Sequence, residues 1–376
     1  MLNLLKRKKS NIIMLMIDGL RYDAIDKIDF YKELKKQAVF FPNMITYAPY
    51  TIGSMHAMFS GMNGNQNGVN GYYRSLSFDK KNCFTLAQYM EEQGYYTDSD
   101  VIYEKIIPNQ GFNKVRPHDE FKDNLKTRHA EVLNQIKNKQ PFFLYLDYSK
   151  IHTNLVYEVI KKYSDFDKEY FDNKEENFNK YMGWAESSAD YLESTLGKIK
   201  ELGLWDNSII LIFTDHGTSV GDRMGEKAYG VYLYEYTIRC FLYLIGKDLP
   251  KNIQINDVVR NIDVLPTILE LLKIKEKTSY KKIQGKSFLP FIHGKTEERT
   301  SYSETGGLGG PTPSPEKHNV FAARTNKWKL IYNESSKKRE LYDLENDPLE
   351  KDNLTGKRQD IENSLWNEII KIQEAK

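Results

Sequence analysis

The chain of 376 residues is 40% hydrophobic and 28% charged, an ordinary globular balance that excludes a disordered polymer. Its net charge of +2 gives no electrostatic case for a nucleic-acid partner, and its length suits one large α/β domain or a core with a smaller appendage. Cys83 and Cys240 each stand inside an apolar stretch, which excludes a disulfide framework or a cysteine-based metal site.

Lys6 to Lys9 ahead of Ile12–Ile17 superficially suggest a signal peptide, but the apolar stretch is short and reaches Asp18 without a small-residue cleavage site. No later run approaches the length of a membrane span, so a cytoplasmic chain without an integral membrane segment is expected. Asn11–Ile17 reads as a buried strand ending at Asp18-Gly19. In the segment Tyr47–Gly61, Pro49 disfavours helix for the residue before it. Helical spacing then begins after Thr51, with Ile52, Met55 and Phe59 on one side and Gly61 as the stop. Thr51 therefore stands at a helix N-terminus, either as a simple cap or as a hydroxyl beside an anion-favouring dipole.

Phe142–Leu146 is a further strand run, and Thr153–Lys180, rich in charge and aromatics, reads as a helical insertion near a cleft mouth. Ala189, Leu192, Leu196, Ile199 and Leu202 follow helical spacing from Ala185 until Gly203. Ile209–Phe213 is an unbroken apolar run followed by Thr214-Asp215-His216-Gly217. Phe241–Ile245 adds a strand and Val264–Leu272 a helix. Gly306–Pro313 reads as a flexible loop, Phe321–Thr325, Trp328–Asn333 and Glu340–Asp343 as a short antiparallel meander, and Ile361–Ala375 as a final helix. Alternating strands and helices imply an α/β fold whose central sheet is mostly parallel and flanked by helices. The expected division is a catalytic domain over residues 10–296 and a small α+β subdomain over 297–376 packed on the core.

Ligands of open α/β sheets bind at the carboxyl ends of strands. Asp215 beside His216 is half of a metal site placed there, and Asp18 ends a second strand in the same way. With Thr51, these residues point to a metal-dependent enzyme.

The motifs resemble the sulfatase branch of the alkaline-phosphatase superfamily. Asp18 matches its metal-binding strand end, Thr51 its nucleophile position with Ser60-Gly61 closing the helix, and His152 its substrate-facing His after a strand. Asp215-His216-Gly217 matches its "DHG", and Leu233-Tyr234-Glu235 with Arg239 its "LYE…R". Asp263-Val264-Leu265-Pro266-Thr267 is similar to "DLLPT", and Glu340–Pro348 with Asn353-Leu354 to the closing "ELYDLxxDPxExxNL". The matches keep the family's order over nearly the whole chain. One departure stands out: sulfatases carry Cys or Ser in Cys/Ser-x-Pro-x-Arg, converted to formylglycine, whereas Thr51 is followed by Ile52, Gly53, Ser54 and Met55. Threonine cannot become the aldehyde. A metal-bound threonine is similar instead to the phosphodiesterase, phosphonoacetate hydrolase and lipoteichoic acid synthase relatives.

The resemblance implies an alkaline-phosphatase-like sandwich and one divalent ion (manganese, calcium, magnesium or zinc) held by Asp18, Thr51, Asp215 and His216. A second ion is possible at Asp147 and His152. Thr51 would attack and form a covalent intermediate, with His152 at the leaving group; Lys227 and Asn70 are weaker substrate contacts. Arg239 is expected to anchor a structural carboxylate, Glu304 to line the cleft, and His56 to pack. The main expectation is hydrolysis of phosphate or phosphonate esters, favoured over sulfate esters by roughly two orders of magnitude because water must cleave the threonyl ester directly. The alternatives are a sulfate-ester hydrolase working without formylglycine, or a phospho-group transferase. Either would act on a small-molecule, glycan or lipid-head-group ester.

Overall fold

The computed structural model describes residues 9–306 and 318–375, without the side chains of Tyr73 and Ser75, so most of the expected glycine-rich loop lies outside the described residues. The larger sheet contains β1 (Asn11–Ile17), β2 (Val39–Ile45), β3 (Tyr96–Val101), β4 (Lys114–Pro117), β5 (Phe142–Tyr148), β6 (Ser208–Phe213), β7 (Arg239–Gly246), β8 (Ile253–Gln254) and β9 (Val259–Arg260). Its order is β4-β3-β5-β1-β6-β7-β2-β8, with β9 also paired to β2. Only β7 is reversed: it runs antiparallel to both β6 and β2, while β5, β1 and β6 are mutually parallel.

β1 lies near the middle of the sheet and is buried along its whole length, as its continuous apolar run requires. Its side chains alternate between two cores. Ile13, Leu15 and Ile17 pack with Leu192, Leu196 and Ile199, whereas Ile12, Met14 and Met16 pack with Met55, Phe59, Leu265 and Ile268. Leu192, Leu196 and Ile199 belong to a helix that starts at Lys174, well before Ala185, because Tyr181 and the acidic first-turn pair Glu175 and Glu176 extend it backward. The end of the expected insertion is thus part of that helix; the remainder forms a helix at Lys150–Leu155, a π-turn at Val156–Ile160 and a helix at Lys168–Asp172.

The second sheet is antiparallel, with β10 (Ser301–Thr305), β11 (Val320–Arg324), β12 (Trp328–Asn333) and β13 (Lys338–Asp343) in sequence order. It has one strand more than the expected meander. Leu365 and Ile369 of the helix Gln359–Glu374 close its core against Leu330 and Leu341. β10 also grips the loop that leads to Thr51. The Glu304 amide donates to the Tyr47 carbonyl at 2.8 Å, and Ser303 Oγ to the Thr46 carbonyl at 2.6 Å. Tyr50 meets His318 Nε2 at 2.5 Å, and His318 Nδ1 lies 3.0 Å from Glu304, which is buried behind Tyr50 rather than lining the cleft. Among the described residues no helix is long and apolar enough to cross a membrane.

Candidate active site

The ends of the neighbouring strands β1 and β6 are laced together. The Leu20 amide donates to Thr214 Oγ1 at 3.2 Å, and that hydroxyl donates to the His216 carbonyl at 2.7 Å. Gly19 takes a positive φ of 71° that turns the chain directly after Asp18. Asp18, Asp215 and His216 thereby converge, all three buried.

His216 Nδ1 donates to the Gly217 carbonyl at 2.7 Å, which leaves a lone pair on Nε2. That nitrogen lies 3.6 Å from Asp18 Oδ1 and 3.5 Å from Asp215 Oδ2. Both oxygens are buried and accept no hydrogen bond from the described residues. Burial and the neighbouring charges of Asp215, Asp147 and Glu120 push the Asp18 carboxyl well above its ordinary range. Acceptors facing acceptors in a buried site fit a divalent cation, and this donor set matches the ligands expected from the sequence.

Thr51 opens the helix Thr51–Ser60, but Tyr50 occupies the cap position and no side chain caps the helix, so the simple cap reading fails. Thr51 Oγ1 instead lies 3.4 Å from His216 Nε2. Ser54 Oγ donates to the Asp215 carbonyl at 2.8 Å, tying this helix to the metal-ligand loop. A Cβ on Gly53 would meet the Ala48 Cβ at 2.6 Å, so the tight approach to the helix start needs glycine there.

His152 lies on the short helix after β5, with Nδ1 3.9 Å from Asp18 Oδ2 and Nε2 4.0 Å from Glu120 Oε2. Burial lowers its pKa. Asp147 does not join it. Asp147 Oδ2 accepts from the Ile102 amide at 3.2 Å, and the converging ligand groups among the described residues include neither Asp147 nor His152. The geometry therefore gives no support to a second ion at that pair, because the two side chains turn to different partners.

The weaker contacts stand apart. Lys227 Nζ donates to the carbonyls of Ile160 at 3.2 Å and Tyr163 at 2.6 Å, which commits the ammonium to the insertion. Asn70 accepts from Arg74 and its carbonyl takes the His318 amide. His56 is buried packing, with a pKa lowered to about 4 by burial. Arg239 donates to the Pro42 carbonyl rather than anchoring a carboxylate; Arg324 and Lys329 hold Glu235 instead.

Two site residues, Tyr229 and Glu120, carry no legible sequence signal. The Tyr229 hydroxyl meets His152 Nδ1 at 3.1 Å, and Glu120, like Asp147, adds negative charge around Asp18. Next to Glu120, Phe121 is 45% exposed and forms an edge-on pair at 4.8 Å with Tyr157, which is 46% exposed. Lys161 lies over the Tyr157 ring at 4.3 Å. No lysine or arginine forms an ion pair with Asp18, Asp147, Asp215 or Glu120 among the described residues.

The family model described as Sulfatase matches residues 10–274, and one described as N-sulphoglucosamine sulphohydrolase, C-terminal, matches residues 229–375. Arylsulfatase K of Bos taurus is 28% identical over 51% of this chain and 35% of its own length, so this match spans about a third of that relative. Among solved structures, a 2-O GAG sulfatase superposes with a TM-score of 0.78 at 19% identity, over 98% of this chain and 93% of that one. The phosphonate monoester hydrolase of Agrobacterium radiobacter gives 0.76 at 13% identity, over 97% and 95%. These likenesses establish the fold and favour the sulfate-ester alternative over the expected preference for phosphorus esters.

Proposed function

Because the chain belongs to the sulfatase family, we propose that it is a divalent-metal-dependent hydrolase of monoanionic oxyanion esters, acting first on sulfate esters. The carrying observation is charge. Four carboxylates, Asp18, Asp147, Asp215 and Glu120, surround the reacting position, and among the described residues no lysine or arginine is paired to them. Such a site penalises a dianionic phosphate monoester relative to an ester bearing one negative charge.

Asp18, Asp215, His216 and Thr51 would hold the cation. Once bound, it supplies Lewis-acid stabilisation of the ester oxygen and lowers the pKa of the Thr51 hydroxyl. Thr51 Oγ1 would bond to the sulfur as the sulfur–leaving-oxygen bond breaks, and its proton goes to solvent. The departing oxygen would take a proton from His152. Water then cleaves the threonyl ester, returning the hydroxyl and releasing sulfate. The free amides at the start of the Thr51–Ser60 helix would face the developing charge. Support for a sugar as leaving group comes from the exposed Phe121 and Tyr157 rings beside Glu120, with Lys161 over Tyr157.

A second reading, phosphonate monoester hydrolysis, is favoured by one observation: Thr51 cannot yield formylglycine. Nitrophenyl sulfate, phenylphosphonate, phosphodiester and phosphate monoester should be compared with calcium, magnesium, manganese and zinc. At least one monoanionic ester should exceed the phosphate monoester by about 100-fold in kcat/KM, on the order of 3 kcal/mol. A phosphate monoester as best substrate would overturn the charge argument, and the ratio of sulfate to phosphonate decides between the two readings.

A further inference from the structure

Asp100, His118 and His129 form a second buried cluster, outside the proposed reaction. Asp100 comes from β3, His118 follows β4, and His129 lies in the helix Leu125–Ile136. Their side chains have no exposure. Asp100 Oδ1 is 2.8 Å from His118 Nδ1 and 3.3 Å from His129 Nε2. Ligands of a tetrahedral zinc ion, bonded at about 2.0–2.1 Å, stand about 3.3 Å from one another.

We propose that Asp100, His118 and His129 bind a late first-row divalent cation, with zinc the best match to two imidazoles and one carboxylate. The outer nitrogens are already fixed as metal-bound histidines require. His118 Nε2 meets Ser149 Oγ at 2.9 Å, and His129 Nδ1 meets the Tyr191 hydroxyl at 2.7 Å. The second carboxylate oxygen of Asp100 accepts from Arg128 Nε at 2.7 Å, which orients the group. Arg116 pairs with Asp98 and Arg128 with Asp100, whereas Asp147, close enough to feel the charges of His118 and Asp100, has no cation paired to it.

This site differs from the Asp18 site in chemistry and purpose. Its nitrogen-rich donors suit zinc, while the Asp18 site is richer in oxygen. It would fasten β3, β4 and the Leu125–Ile136 helix together. Through Ser149, which stands at the start of the short helix carrying His152, it would also steady that helix.

The test is metal content and location in the full-length protein. Protein purified with zinc and calcium should contain one zinc per chain that survives mild chelation. Zinc should stay in Asp215→Asn and be lost in His129→Gln and His118→Gln. In wild-type crystals, anomalous scattering at the zinc edge should give a peak among Asp100, His118 and His129. Absence of that peak after soaking in millimolar zinc, or zinc retained equally in both histidine variants, would overturn the proposal. If the variants do not fold, the wild-type anomalous map decides alone. Neither measurement depends on turnover, so failure here is distinct from failure of the proposed hydrolase.

Discussion

The Tyr229 ring lies 4.7 Å from the His216 imidazole, centroid to centroid. The hydroxyl of the same tyrosine meets His152 Nδ1, so one side chain links the His216 imidazole to the residue proposed for the leaving group. Burial, then Asp18, keeps the phenol protonated by raising its pKa well above the ordinary value. His152 Nε2 lies on the other side of the ring, 4.0 Å from Glu120 Oε2. Tyr229→Phe should lower kcat about 5-fold with little change in KM, as expected for one lost positioning hydrogen bond of about 1 kcal/mol. Undiminished kcat in steady-state assays would remove Tyr229 from the mechanism.

Thr51→Ala should cost at least about three orders of magnitude in kcat, whereas Thr51→Ser keeps measurable turnover. The nucleophile assignment rests on the hydroxyl's 3.4 Å approach to His216 Nε2 at an uncapped helix start. An alanine variant with a tenth of wild-type turnover would refute it.

Chelation should abolish activity and lower the melting temperature. Without a cation, Asp18 Oδ1 and Asp215 Oδ2 accept no hydrogen bond. A ligand present at 100 times its Kd stabilises the native state by about 2.7 kcal/mol. Asp215→Asn should weaken that metal-dependent thermal shift by reducing negative charge at the site. A shift unchanged in Asp215→Asn would place the ion elsewhere.

Glu226 gives a pH prediction remote from the cluster. It is buried in the loop beyond Gly217, where the Val231 and Tyr232 amides donate to Oε1 at 2.8 Å each. Burial raises its carboxyl from 4.5 to about 8. The native state then holds a proton that the unfolded chain releases, so the stabilisation is complete below about 4.5 and lost as pH rises through 8. Melting temperature should decline between pH 5 and pH 9. Glu226→Gln keeps the acceptor and should flatten that decline; an equal slope in the variant would show that other groups set it.

β1, β5, β6 and β7 are legible because strands buried on both faces must be apolar throughout. Their carboxyl ends led directly to Asp18, Asp215 and His216. β3 escapes the same reading because Thr97, Asp98, Ser99 and Asp100 are buried polar residues, stabilised by partners remote in sequence. Arg116 and the two histidines of the second cluster supply several of those partners, and no local pattern announces them. β10 escapes for a similar reason: Ser301, Ser303 and Thr305 spend their hydroxyls on the carbonyls of Arg324, Thr46 and Gly230. Tyr229 and Glu120 lie in irregular segments, where only the folded chain brings them to His152. Lys227 shows the reverse: its place in the sequence suits a substrate contact, while its ammonium is held by the insertion's carbonyls.

The grip of β10 on Thr46 and Tyr47 has a temporal side in a chain made from its amino end. Asp18, Thr51, Asp215 and His216 have all emerged from the ribosome before β10 is synthesised. A nascent chain can therefore gather its metal ligands early. The stretch feeding Thr51 acquires this clasp only when residues 301–305 arrive, so Thr46 and Tyr47 gain their bonds to the closing sheet after the rest of the centre has been made.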